Sequence, residues 1–509
     1  MNEEPKLLKE PREGVPEVID TLEAYKDYCS LLAAGSGPLA ADAERASGFR
    51  YSHEDWLIQF KRKGAGIGLL DPVALKNLGV DWHEFNEAVG DALWIIHDSM
   101  QDLPGFFDIG LQPKALFDTE IAAKLLGRNR FGLSSVTEYY LGLTLAKEHS
   151  AADWSYRPLP RDWRNYAALD VELLIELEEV MRSELKKQGK LSWAEEEFAH
   201  LLKKGAQKKA PHPRPWLRIS HISVLMHDRV GLIIAKSLWQ ERDALARQYD
   251  IAPTLLLSDA AIIEAGSRKP KNSREFRAIR ILNERVRVHT GSDRDKMFER
   301  YAPIQRKIRP TLWKKVIEQA ILRAESGETA MDDVPPVIPN GITRVDTYEQ
   351  HNLHAQNITN IADIANNCAI NNCAINSCVN SCVNKSDCAI SADTAGNTVG
   401  ADNAVSEDSA NLCNFQDFQD SQVAPRSMRY WKEHYPDRYE MLQRIRALLT
   451  CIAEDTHTPV EVIVKPQIIR NLCWNENIAE INVSDFLLEQ GARPWQVELI
   501  AESVTRAIM

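Results

Sequence analysis

The sequence predicts an α/β domain followed by all-α helical domains, and three observations carry that expectation. Residues 1–200 alternate short β-like apolar runs with helical stretches, the patterning of an α/β unit. Residues 216–325 read as helices throughout, and the tail from Tyr430 to Met509 is helical again. At 509 residues the chain is too long for one core and, at roughly 100–200 residues per domain, should hold about three. A hydrophobic content of 44% with 26% charged residues excludes a wholly disordered chain, a collagen-like fibre and a coiled coil.

In the N-terminal region the predicted strands are Pro38–Asp42, Trp56–Phe60, Ile67–Asp71, Leu93–His97 and Ala115–Phe117, with helices over Leu75–Val89 and Thr119–Leu126. A Lys/Pro-rich stretch then reads as an exposed linker at 201–215. In the helical region beyond it, Leu232–Tyr249 keeps apolar residues at helical spacing until Asp250-Ile-Ala-Pro253 ends it. Residues 326–425 form a low-complexity insert, extreme between His354 and Ala424, where Asn, Ser, Ala and Asp dominate and Lys385 is the sole Lys or Arg. It repeats Asn-Cys-Ala-Ile-Asn at 367–371 and 372–376, lacks the means to bury a core, and is expected to be disordered. The last domain is 426–509, with Met441–Glu454 and Pro494–Ala507 its clearest helices.

Net charge is −12, yet residues 201–323 hold 27 Lys and Arg against 12 Asp and Glu. A basic segment inside an acidic chain is the footprint of a polyanion partner, although a basic helical face is also ordinary solvated surface. Six of the nine cysteines crowd the insert at irregular gaps without a His between them, which argues against a zinc site. No run approaches the roughly 18 apolar residues of a membrane span, and the first residues lack a secretory h-region, so a cytoplasmic protein is expected. In that setting the sequon at Asn357 has no meaning.

Three local patterns bear on chemistry. Asp42-Ala-Glu44 follows the strand Pro38–Ala41, and carboxylates at i and i+2 project to one side, where a divalent cation is gripped. Taken alone the pair also fits surface acids at a strand end. Asp102 starts a helix just after the strand ending near His97, a position that equally suits a helix-dipole partner, with His97 a packed or hydrogen-bonded histidine. Tyr166 and Asp170 lie four apart in a helical pattern and so share a face, presenting a phenol beside a carboxylate, a spacing that a core tyrosine with a surface aspartate also satisfies.

In this order the motifs resemble the DEDD-type 3′-5′ exonucleases of the Tyr subclass, the ribonuclease D family in particular, over Ala41–Leu174. Gln101-Asp102-Leu103, Leu116-Phe-Asp-Thr119, Ala152-Asp-Trp154 with Arg157-Pro-Leu159, and Tyr166-Ala-Ala-Leu-Asp170 support it. Leu238-Trp-Gln-Glu-Arg242, Ile251-Ala-Pro253 and Leu257-Ser-Asp259 resemble the helicase-and-ribonuclease-D C-terminal (HRDC) domain, and the tail resembles a second, divergent one. The resemblance implies a ribonuclease H-like α/β exonuclease domain, a mixed sheet with flanking helices, followed by all-α HRDC-type domains.

The resemblance also implies a two-metal phosphodiester hydrolysis with Mg2+ or Mn2+. In that scheme Asp42 bridges two ions, Glu44 and Asp170 hold the ion that activates water, Asp102 supports the ion beside the leaving group, and Tyr166 orients the water. Trp154 and Arg157 either hold the RNA 3′ end or pack the fold, and Phe49 and Tyr51 either stack on a base or serve structure. Lys203, Lys204, Lys208, Lys209, Arg274, Arg277 and Arg280 are candidate backbone contacts. Asp98 and Glu172 are acids near the site that are not expected as ligands. The expected partners are RNA 3′ ends, transfer-RNA precursors foremost, with no membrane and no obligate protein partner. A DNA exonuclease and a non-catalytic nucleic-acid-binding protein are the alternatives.

Overall fold

The computed structural model describes residues 5–145, 152–208, 211–283, 298–326, 424 and 428–509. Its centre is a six-stranded mixed sheet with strand order β2 (Val18–Ile19), β5 (Gly66–Leu70), β4 (Asp55–Lys63), β3 (Ser36–Arg45), β6 (Leu93–Ile96), β7 (Ala115–Asp118). The β3–β4–β5 hairpins are antiparallel, whereas β2 on β5 and β3–β6–β7 are parallel. A separate parallel pair joins β1 (Lys6–Leu8) to β8 (Leu143–Leu145). The five predicted strands are present. The short strands β1, β2 and β8 show no pattern in the sequence, because two or three residues carry no period.

Helices cover both faces. On one, α7 (Arg161–Glu172) packs on β3, β4 and β5 over Leu57, Leu69, Trp154, Trp163 and Ala167. The larger core gathers Phe60, Phe85, Trp94 and Phe106, so α3 (His83–Val89) and α4 (Leu103–Ile109) lie against the opposite side of β4. Helix α1 (Leu22–Ala34) starts where the Thr21 hydroxyl accepts from Ala24 N, and its Tyr28 ring fills the space where a side chain at Gly68 would stand. The single helix predicted over Leu75–Val89 is two, α2 (Pro72–Asn77) and α3, because Gly79 and Trp82 take positive φ and turn the chain. Helices α5 (Thr119–Leu125), α6 (Leu133–Leu141), α8 (Leu174–Lys187) and α9 (Leu191–Gly205) complete the domain. The linker expected from residue 201 therefore begins in a helix: Leu201 is buried, and Gly205 meets Leu103 so closely that a Cβ there would collide with it.

Two helical units follow. The first holds α10 (Arg229–Tyr249), α11 (Pro253–Leu256), α12 (Asp259–Arg268) and the helix Pro310–Glu325 around Leu232, Leu238, Ile262, Trp313 and Ile317. Asp228 caps α10 through Gly231 N, and Asp250 closes it in the left-handed region, so the predicted stop is the observed one. The second packs Pro436–Thr456, Pro466–Trp474 and Pro494–Ile508 around Leu442, Ile469 and Ile500. Ala424, read as part of the insert, is fully buried in this core, and its N–H donates to Asn471 Oδ1 at 3.1 Å. The rest of the insert beyond Ser326, with its six cysteines, and Lys209 lie outside the described residues.

Both units dock on the α/β domain. Trp495 stacks on Trp193 with centroids 4.8 Å apart, and Glu197 accepts from both Trp495 Nε1 and Arg493 Nε. From the other unit, Ala252 N donates to Phe49 O at 2.8 Å, while Ser52 N donates to Asp250 Oδ1 at 3.0 Å. No helix among the described residues is long and apolar enough to cross a membrane.

Candidate active site

Strand β3 is central in the sheet, and its alternation sends Asp42 and Glu44 to the face that α7 crosses. On α7, Tyr166 and Asp170 stand one turn apart, and the Tyr166 side chain hydrogen-bonds Asp170. One carboxylate oxygen from each of Asp42, Glu44 and Asp170 can be chosen so that all three lie within 4.8 Å of one another. The three side chains are half-buried, so the cluster is reachable from solvent. These acids come from segments about 130 residues apart in the sequence, joined by the packing of α7 on β3.

Crowding acids together resists their ionisation. Loss of water pushes Asp42 up to about 8, with the neighbouring Asp170 charge adding to it. Asp170 rises to about 7 for the same first reason, opposed by the Tyr166 hydrogen bond and helped by Asp102. Glu44 and Asp102 are also held well above the carboxylate range by burial and then by Asp42. Tyr166 is raised too, chiefly by burial and then by the Asp170 charge, which keeps the phenol protonated. A pocket of oxygens that holds protons this tightly has less positive charge than its acids call for, and an all-carboxylate donor set suits a hard divalent cation. Opposite Asp42 in the strand register stands Gln59, fully buried, with neither amide atom hydrogen-bonded.

Asp102 is near enough for its charge to act on Glu44 and Asp170, but its own carboxylate is held by a cation. It stands at the start of α4 without a side-chain capping bond, and its Oδ1 accepts from Arg45 Nη2 at 2.9 Å. Asp102 thus keeps its place at the helix start expected of a dipole partner and adds an ion pair to Arg45. His97 is a hydrogen-bonded histidine, its Nδ1 2.8 Å from Thr119 Oγ1. Asp98 accepts from Gln101, and the Glu172 carboxylate pairs with Lys61 at 3.0 Å.

The suggested RNA contacts divide. Trp154 is fully buried against Trp163 and Tyr166, so it packs the fold and offers no face to RNA. Arg157 is spent on Asp71 Oδ2 and on the backbone carbonyls of Trp56 and Trp154, each at 2.6 Å, again a structural role. Phe49 is buried against Phe298, centroids 4.6 Å apart, and Tyr51 bonds Asp243, so neither is offered for base stacking. Lys203, Lys204, Lys208, Arg274, Arg277 and Arg280 are exposed. Sequence reasoning misses Arg45, Asp55 and Gln59. Their only signal is a polar residue inside or beside an apolar strand, as in Asp55-Trp-Leu-Ile-Gln59-Phe.

Comparison with known proteins follows this division of the chain. Residues 16–186 match the 3′-5′ exonuclease family model, 232–293 the HRDC domain, and 424–508 the 3′ to 5′ exonuclease C-terminal domain. Ribonuclease D of a Shewanella species is 29% identical over 232 residues, covering 45% of this chain and 58% of that relative, so the match spans little more than half of its length. A crystal structure of a protein from Bifidobacterium adolescentis is 54% identical, covers 99% of this chain and 100% of its own, and superposes with a TM-score of 0.77. Ribonuclease D of Escherichia coli shares the fold at 18% identity, with 97% of this chain and 98% of that one covered and a TM-score of 0.52. The chain is thus a relative of ribonuclease D, in which a 3′-5′ exonuclease domain is joined to an HRDC domain and a further helical domain.

Proposed function

We propose that the protein is a metal-dependent 3′-5′ exoribonuclease that releases nucleoside 5′-monophosphates and trims RNA 3′ ends, those of transfer-RNA precursors foremost. The observation that carries this reading is the meeting of Asp42, Glu44 and Asp170 within 4.8 Å, beside a phenol bonded to Asp170. Asp42, Glu44, Asp102 and Asp170 would hold two divalent cations, Mg2+ or Mn2+, which supply charge neutralisation and Lewis acidity at the phosphate. Tyr166 stays protonated at neutral pH, so it orients the attacking water by hydrogen bonding and does not take its proton. Asp170 fixes the phenol in turn. The exposed cations Lys203, Lys204, Arg274 and Arg277 support sequence-independent contacts to the RNA backbone.

The test is digestion of an end-labelled transfer RNA bearing a short 3′ extension, beside a DNA of the same sequence, with Mg2+ or chelator, for wild type and Asp170→Ala. Stepwise shortening of RNA that needs both metal and Asp170 is expected. Faster shortening of the DNA than of the RNA would move the substrate class to DNA. Tight binding without any product would make the protein a binding module.

A further inference from the structure

Arg45 follows Glu44 directly, yet a register shift between Glu44 and Arg45 places it opposite Asp55 in the β3–β4 pair. Its guanidinium spans two acids, with Nε 2.9 Å from Asp55 Oδ1 and Nη2 2.9 Å from Asp102 Oδ1. Asp55 is buried beneath α4, where only a glycine fits: a Cβ on Gly105 would collide with the Asp55 carboxylate. The planar fork of Arg suits this double grip, which the point charge of Lys reproduces only in part. Asp102 is the one acid of the four-carboxylate set that lies outside the trio of Asp42, Glu44 and Asp170.

We propose that Arg45, braced by Asp55, is a positioning residue that orients the Asp102 carboxylate toward the acid cluster and supplies its resident counter-charge. This rests on the metal-dependent reading above. Arg45 occupies one oxygen of Asp102 and leaves the other for the cation that Asp102 would help to hold. Asp55 acts one step further out, through its ion pair with the guanidinium.

The test uses the full-length protein, stripped with chelator and titrated with Mn2+ by calorimetry and by the electron paramagnetic resonance of free Mn2+. The variants are Arg45→Met, Arg45→Lys and Asp55→Asn. In Arg45→Met the weaker of two bound ions should lose about 10–100-fold in affinity while the tighter one is unchanged. Lys should restore part of the loss, and kcat should fall while KM for RNA holds. Should Arg45→Met not fold, Asp55→Asn, which keeps the guanidinium, carries the same comparison: a weakened second ion supports the inference and an unchanged one overturns it. Two ions bound by Arg45→Met as by wild type would overturn this inference alone. No binding by wild type would overturn it together with the metal-dependent reading.

Discussion

Replacing Asp170 by Asn should abolish turnover and, in the absence of metal, make the protein more stable at alkaline pH. Asp170 is raised from 3.8 to about 7 by burial first, against the Tyr166 hydrogen bond. At 1.36 kcal/mol per pKa unit, that rise corresponds to roughly 4 kcal/mol against the ionised folded form. Solvent reaches the half-buried carboxylate and the charge is shared among several acids, so roughly 1–3 kcal/mol is the expected gain for Asn. The sign follows from linkage. An acid whose folded pKa is raised contributes stability that is present below its unfolded value near 3.8 and is lost as pH climbs through about 7. Melting in chelator should therefore show Asp170→Asn and wild type together near pH 4, and the variant several degrees higher at pH 8. Adding Mg2+ or Mn2+ at pH 8 should raise wild type more than the variant, because the cation replaces the missing protons. A variant that melts at or below wild type at pH 8 in chelator would refute the electrostatic reasoning.

Phe49→Ala should cost about 3–5 kcal/mol, since the ring is buried between the exonuclease and HRDC units; urea unfolding and protease sensitivity of the junction check it. Glu197→Ala should cost about 3 kcal/mol or more, because it strands Arg493 and Trp495 Nε1 in a nearly closed interface, read as a lowered urea midpoint. The double variant Arg274→Ala/Arg277→Ala should weaken RNA binding and reduce the slope of log affinity against log salt by roughly 1.4–1.8, measured by fluorescence anisotropy over a salt series. An unchanged slope would remove this face from the RNA path.

Five strands of the central sheet are legible in the sequence because their apolar runs are long enough to carry a signal, whereas β1, β2 and β8 are too short to show one. The break between α2 and α3 is hidden by continuous apolar spacing across Gly79, whose left-handed backbone only the folded chain reveals. Conversely, the basic tract around Lys203 and Lys204 reads as a linker, because Leu201 and Gly205 find their partners only in the tertiary fold.

For the site, the sequence by itself pointed to Asp42-x-Glu44, Asp102 and Tyr166-x-x-x-Asp170 by their recognisable order, and of these acids Asp42, Glu44 and Asp170 meet in one cluster. Periodicity also placed Asp42 beside Glu44 and Tyr166 beside Asp170, because those neighbours share one element. Only the tertiary structure decided that Asp102 is gripped by Arg45, that Trp154 and Arg157 serve packing, and that Phe49 is buried by the HRDC unit. These outcomes depend on contacts between residues far apart in the chain, set by strand register and domain docking, and neither leaves a period in the sequence.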